Sequence, residues 1–345
     1  MLSGVGVEHI IFRAVVSGLT AFVISLVTGK VFIQLQKRHA IGQSIREDGP
    51  ESHQVKSGTP TVGGIFFIIA ILIATLLFVK SISILAISLT AMLGFGGIGL
   101  WDDLLKLKRS NSDGLKAKYK ISLQVIISYL LLFELDFFKL LETSIFIPWS
   151  ETLYFQLGSW YYIFAILYIV FMVNACNLSD GLDGLATGLG IISFAAMILF
   201  GFIAITGALH PSVGAFMFDD RVELIVFLSG MIGGLLGFLW YNARPAQVFM
   251  GDTGSMAIGG GFAMIAIITQ NEILMLIIGA VFFMEALSVI IQVSSYKMRK
   301  KRVFLMTPIH HHFEKMGWKE IKVVHRFWIF SLICVLIGLL VALRI

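Results

Sequence analysis

Asp180 and Asp183 stand three residues apart in NACNLSDGLDGLATG (174–188), and Asn177 lies three residues before the first of them. On a helix this spacing lays side-chain oxygens along one stripe. Gly181 and Gly184 permit close approach of a ligand, or a break in the helix. Such oxygens suit a hard cation like Mg2+, which takes one or two carboxylates together with substrate phosphates and water. The plainer alternative is that Ser179 or Asp180 caps the helix that follows. A single cap needs neither Asn177 nor Asp183.

Four further clusters have the same character. In GLWDDLLK (99–106) Asp102 and Asp103 are adjacent, so on a helix they project about 100° apart. Two different jobs follow, one beside a reacting group and one turned toward a lysine or a backbone donor. An ion pair from Asp102 to Lys106, four residues on, is the alternative. In QVFMGDTGS (247–255) Asp252 opens an apolar segment, and Gly251 and Gly254 leave backbone amides open to an anion. In HQVKSGTPTVGG (53–64) Thr59 can cap and Pro60 can enter the first turn, bringing Lys56 and Thr61 to one helix start. The lysine precedes the glycines, so this is not a Walker loop. In TPIHHHFEK (307–315) the consecutive side chains of His310, His311 and His312 diverge and no cysteine is near, which argues against zinc. In a loop carrying nine basic residues they read as donors to phosphate or sugar.

The elements that must position these groups are membrane helices. Mean hydropathy is +0.90, and 14% of the 345 residues are charged, against about 25% in soluble chains. Ten apolar runs are long enough to span a bilayer: 11–34, 61–79, 82–100, 121–138, 159–176, 185–206, 222–241, 255–269, 273–296 and 327–344. The eighth is short and glycine-rich. The first is too long for a cleavable signal and lacks a small-residue cleavage site. With ten spans, the loops after spans one, three, seven and nine carry 21 of the 26 Lys and Arg residues. The positive-inside rule then puts those loops in the cytoplasm and both termini in the periplasm. All five polar clusters fall on the cytoplasmic side. SIFIPWSETLYFQL (144–157) alternates and breaks at its centre, predicting a small periplasmic β-hairpin. Cys176 and Cys334 lie in or beside separate spans and form no disulfide framework. Glu285 lies deep in span nine, facing protein or a groove. The expectation is an all-α polytopic membrane protein, residues 1–345 forming a single integral membrane domain with cytoplasmic active-site loops.

Carboxylates for a divalent cation, phosphate-ready helix ends and a basic rim point to phosphoryl transfer from a soluble nucleotide-linked donor to a lipid acceptor. A transporter would scatter carboxylates through the midplane rather than gather them at one mouth. An alcohol phosphatidyltransferase would continue its DG aspartates to an Arg, where this chain reads DGLATGLG.

From His53 to the last span, the ordered motifs HQVKSGTPTVGG, DDLLK, NLSDGLDGLA, NARPAQVFMGDTGS and TPIHHHFE resemble the polyprenyl-phosphate N-acetylhexosamine-1-phosphate transferase superfamily. KSGTPTVGG and HHHFE favour the branch that uses UDP-MurNAc-pentapeptide over the sister branch that uses UDP-GlcNAc. The resemblance implies a ten-helix enzyme of the bacterial cytoplasmic (inner) membrane. It implies Mg2+-dependent transfer of phospho-MurNAc-pentapeptide to undecaprenyl phosphate, giving lipid I and UMP for peptidoglycan synthesis. It also admits a homodimer. By motif match Asp102 and Asp103 correspond to a catalytic aspartate pair, with Asp252 as catalytic and metal-binding aspartate and Asp102 as a further metal ligand. Asp183, Asn242 and Phe249 match positions around the uridine. Lys56, Thr61, Lys118, Asn177, Asp180, Gly251, Gln292 and the three histidines match other substrate-binding positions, with Lys116 and Lys120 competing for the place of Lys118. Trp101, Cys176 and Ser179 depart from the pattern without removing a group the chemistry needs.

Overall fold

The computed structural model describes residues 4–38, 58–109, 114–149, 154–205, 208–209, 213 and 220–343; Lys56 lies outside them. In chain order the helices begin with α1 (Gly4–Arg38), α2 (Gly64–Phe78), α3 (Ile82–Arg109) and α4 (Ala117–Phe137). Strands β1 (Ser144–Phe146) and β2 (Tyr154–Gln156) follow, then α5 (Trp160–Leu178), α6 (Leu185–Ile205) and α7 (Leu224–Asn242). The chain closes with α8 (Gly251–Ile268), α9 (Glu272–Ile278), α10 (Ala280–Arg299), α11 (Ile309–Lys315) and α12 (Glu320–Ala342).

Eight helices among the described residues are long and apolar enough to cross a membrane: α1, α3, α5, α6, α7, α8, α10 and α12. The other two expected spans are helical but weaker on this measure. α2 is apolar yet has only 15 residues, about 22 Å of helix against a hydrocarbon core of about 30 Å. α4 carries Lys118, Lys120, Glu134 and Asp136 within its 21 residues. Both nevertheless pack into the bundle, α2 against α1, α7 and α8, and α4 against α3 and α5.

The short, glycine-rich eighth run is the hub. Every residue of α8 from Thr253 to Ile268 is buried, with α3 and α5 against its sides and α2 against its start. Its small residues let neighbouring backbones come close. A Cβ on Gly259 would sit 2.6 Å from Val173 Cα of α5, and one on Gly260 2.4 Å from the Phe95 ring of α3. Opposite, α1 crosses α7 backbone to backbone at Gly233, where a Cβ would meet Gly18 O at 1.9 Å. Ser17 and Ser25 donate to the α7 carbonyls of Val226 and Gly234 at 3.0 and 2.9 Å. Hydroxyls bonded across helices in this way hold a contact that apolar lipid does not itself drive together.

Several boundaries differ from the hydropathy runs: α1 and α3 run on to Arg38 and Arg109, and α2 starts only at Gly64, with Gly63 and not Thr59 at its cap position. α8 starts at Gly251, four residues early, because Asp103 of α3 satisfies its first amides. The ninth run is two helices, α9 and α10, broken at Gly279. α12 begins at Glu320, because its first two turns are helical though polar. The hairpin is present, antiparallel, with Ser144 opposite Gln156 and Phe146 opposite Tyr154. Both cysteines are free and buried.

Candidate active site

The last turns of α3, the first of α4 and the first of α8 meet at one end of the bundle. Asp103 accepts the backbone N–H groups of Asp252 (3.1 Å) and Thr253 (2.9 Å) and the Thr253 hydroxyl (2.7 Å). It therefore caps α8 from another helix, satisfying amides that no residue before α8 reaches. Gly251 makes the turn into α8 at φ +74°, and a Cβ there would lie 2.5 Å from Asp103 Oδ2. Both the conformation and the approach call for glycine.

Asp102, one residue back, faces another way. Its Oδ1 accepts Leu115 N–H at 2.7 Å, and Lys106 Nζ lies 2.6 Å from its Oδ2. The adjacent aspartates thus hold two different jobs, and the Asp102–Lys106 ion pair forms as well. Asp252 closes the group: its Oδ2 receives Lys120 Nζ at 2.6 Å and Lys106 Nζ at 3.1 Å. Its Oδ1 accepts Asn177 Nδ2 at 2.9 Å, and that same nitrogen lies 2.9 Å from Ser255 Oγ. One carboxylate oxygen from each of Asp102, Asp103 and Asp252 lies within 4.8 Å of the other two. Three carboxylates against two lysines leave a net negative, oxygen-only donor set, which fits Mg2+ better than a softer metal.

Asp180, in the turn between α5 and α6, feels that field. Burial, together with the charges of Asp252, Asp103 and Asp183, raises its pKa well above the usual carboxylate range, against a lowering hydrogen bond from the Gly251 backbone. Like charges gathered in a dry site raise a carboxyl in this way. Asp183, three residues on, accepts Ala246 N–H at 3.2 Å, and its own N–H donates to Glu320 Oε1 at 2.9 Å. Buried Asn242 joins the same turn to the α7–α8 connection: its oxygen accepts Gly184 N–H and the Thr187 hydroxyl, both at 3.0 Å, and its amide donates to Val248 O at 3.0 Å. Phe249 N–H donates to Pro60 O (2.8 Å) and Phe249 O accepts Gly63 N–H (2.9 Å). This seats buried Thr61 beside the start of α8.

The remaining predicted residues are more dispersed. Lys118 is exposed, its amine over the Tyr119 ring at 4.9 Å, and Lys120 is the lysine that reaches the carboxylates. Gln292 accepts Val303 and Phe304 N–H and donates to Phe304 O, tying α10 to the loop after it. The histidines diverge. His310 is fully buried, with Nδ1 3.1 Å from Glu285 and Nε2 against Gly181, where a Cβ would lie 2.2 Å away. His311 pairs with Glu314 at 2.7 Å, and His312 accepts Leu305 N–H at 3.1 Å. Thr253 and Ser255 carry no signal in the sequence, whereas Lys106 shows its four-residue spacing from Asp102 and Lys120 competes with Lys116 for the place of Lys118.

Lys120 and Lys118 differ by one turn face, and their substitution should differ in effect. Lys120→Met is expected to lower turnover by about 10²-fold, as loss of one preorganised charge does at a reacting centre. Lys118→Met should stay within about twofold, as for a solvated surface charge. Steady-state product release measures both; equal effects would contradict this placement.

Comparison with known proteins agrees with the geometry. The glycosyl transferase family 4 profile matches residues 84–270, from the start of α3 to the end of α8. The chain is 40% identical over 351 residues to phospho-N-acetylmuramoyl-pentapeptide-transferase of Koribacter versatilis, covering 96% of this chain and 93% of that protein. It is 43% identical over 328 residues to the enzyme of the same name from Desulfotalea psychrophila (94% and 91% covered). The one from Sorangium cellulosum is 42% identical over 349 residues (96% and 93%). With the acidic cluster inside the matched region and the likeness running nearly end to end, this chain belongs to the phospho-N-acetylmuramoyl-pentapeptide-transferase family within glycosyl transferase family 4.

Proposed function

We propose that the chain transfers phospho-MurNAc-pentapeptide from its UDP carrier to undecaprenyl phosphate, releasing UMP and forming lipid I, the first membrane step of peptidoglycan synthesis. The observation that carries this reading is the convergence of Asp102, Asp103 and Asp252 with Lys106 and Lys120 at one end of a membrane-helix bundle. The names of its relatives support the transferred group, phospho-N-acetylmuramoyl-pentapeptide.

Asp252 and Asp102 would hold Mg2+, which when bound would offset the charge of the donor diphosphate and polarise its oxygens. Asp103 stays on the α8 amides, so its part is to aim Asp252. Asp102, which accepts Leu115 N–H, pairs with Lys106 and lies against Asp252, is the carboxylate that takes a proton from the acceptor phosphate. Lys106 and Lys120 are placed to neutralise phosphoryl oxygens as charge shifts to the leaving UMP. Asp183, Asn242 and Phe249 form the uridine end. Thr61, Asn177, Asp180, Gly251, Gln292, His310, His311 and His312, with Lys56, supply the polar surround for phosphate, sugar and peptide, and Lys120 takes the place that motif matching gave to Lys118. Transfer is by direct attack of the lipid phosphate.

The chain crosses the bacterial cytoplasmic membrane ten times, with both termini and the hairpin in the periplasm and the site facing the cytoplasm. Supporting this, the last turns of α1, α3 and α10 are all basic, which is where cytoplasmic ends carry Lys and Arg. The test supplies purified protein with UDP-MurNAc-pentapeptide or UDP-GlcNAc, undecaprenyl phosphate, and Mg2+ or a chelator. UMP is expected from the first donor alone, and only with lipid and Mg2+. Release from UDP-GlcNAc alone would move the chain to the sister activity; exchange of UMP without lipid would replace direct attack by a covalent intermediate; no release from either donor would overturn the proposal.

A further inference from the structure

Glu320, the first residue of α12, is 3% exposed and lies 137 residues from the turn it touches. Its Oε1 accepts Asp183 N–H at 2.9 Å, while its Oε2 is in contact with the Arg244 guanidinium. Arg244 belongs to the α7–α8 connection, and two residues later Ala246 N–H donates to the Asp183 carboxylate at 3.2 Å. The four residues close a ring: Arg244 to Glu320, Glu320 to Asp183, Asp183 to Ala246, and back along two peptide bonds. Three separate segments, the α5–α6 turn, the α7–α8 connection and the start of α12, thereby hold one carboxylate in one orientation.

The base of that ring is itself stiff. Trp318, two residues before Glu320, stacks on Phe313 at 4.7 Å and carries the Arg326 guanidinium 4.2 Å above its ring. Glu320 is therefore presented by a packed corner between α11 and α12. The bond from Asp183 N–H to its Oε1 is the link by which Glu320 acts on the donor end of the site.

We infer that Glu320, braced by Arg244, is a positioning residue that sets the Asp183 turn for binding the donor nucleotide and leaves the transfer step itself untouched. This rests on Asp183 forming the uridine end of the site. A ring that only stabilised the fold would, when broken, lower all kinetic parameters together. A positioning ring predicts a split: weaker nucleotide binding at unchanged turnover.

The experiment uses the full chain in detergent, with UMP as the equilibrium binding probe and steady-state kinetics in both substrates. Glu320→Ala is expected to weaken UMP and raise the donor KM by roughly tenfold, the scale of losing a buried hydrogen bond to a charged group. The acceptor KM and kcat should remain within about twofold. Glu320→Gln keeps an oxygen for Asp183 N–H and should regain most of the affinity, and Arg244→Met should fall between the two. If Glu320→Ala does not fold, the last two variants carry the same comparison. Unchanged UMP affinity in a folded variant, or kcat and both KM values worsening together, overturns the positioning role alone. Wild-type protein that transfers but does not bind UMP would sink the uridine reading of Asp183 as well.

Discussion

Asp252→Asn is expected to lower transfer by about 10³-fold or more, the scale of removing a preorganised charge from a transition state, while the protein still folds and inserts. The substitution keeps size and shape, so α8 and its cap from Asp103 should survive. What it removes is the charge on which Lys106, Lys120 and the Asn177 amide converge. The amide cannot serve a hard cation as a carboxylate does, and if its nitrogen turns toward the lysines it leaves them facing a donor. Asp102→Asn should be similarly severe, since Lys106 and Leu115 N–H would then hold a group that neither carries charge nor accepts a proton. UMP release is the measurement, with thermal unfolding in detergent to show that each variant is folded. Near-normal turnover in either would remove the metal and base assignments.

Gly99→Ala should be nearly as damaging without touching any functional group. Gly99 lies one turn before the two aspartates, and a Cβ there would fall 2.2 Å from Asp252 O and 2.6 Å from Thr253 N. Those are backbone atoms of the helix that carries the site, so α3 and α8 must part. Overpacking of this kind costs about 1–3 kcal/mol, and a displacement of about 1 Å at a reacting centre can cost about 10²-fold in rate. Both a lower unfolding temperature and a lower kcat are expected. Gly97→Ala is the control: the space around its Cβ is open, so it should leave both readouts alone. Equal behaviour of the two variants would mean that the close approach of α3 and α8 does not set the site.

Much of this was legible in the residues themselves. Apolar runs and the uneven placement of Lys and Arg depend on free energies of transfer that act residue by residue, so they show in linear order. That is why all ten runs are helical where described, although eight of the helices among the described residues combine the length and apolarity of a clear span. The aspartate clusters were legible for the same reason, because a carboxylate at a membrane boundary is costly unless something there needs it. The boundaries were less so. The start of α8 depends on Asp103, almost 150 residues earlier, and no local pattern reports a cap delivered from another helix.

The sequence by itself determined the class of molecule, the end of the bundle where chemistry gathers and the residue types available for it. Only the tertiary structure decided which of them meet. It chose Lys120 over Lys118, gave Asp103 to the α8 amides and Asp102 to Lys106, turned His310 inward to Glu285, and brought Glu320 to Asp183. The reason is physical: hydropathy is a property of each residue and survives in the linear chain. Pairing across helices depends on rotation about each axis and on glycine-scale approach distances, which arise only once the helices have packed.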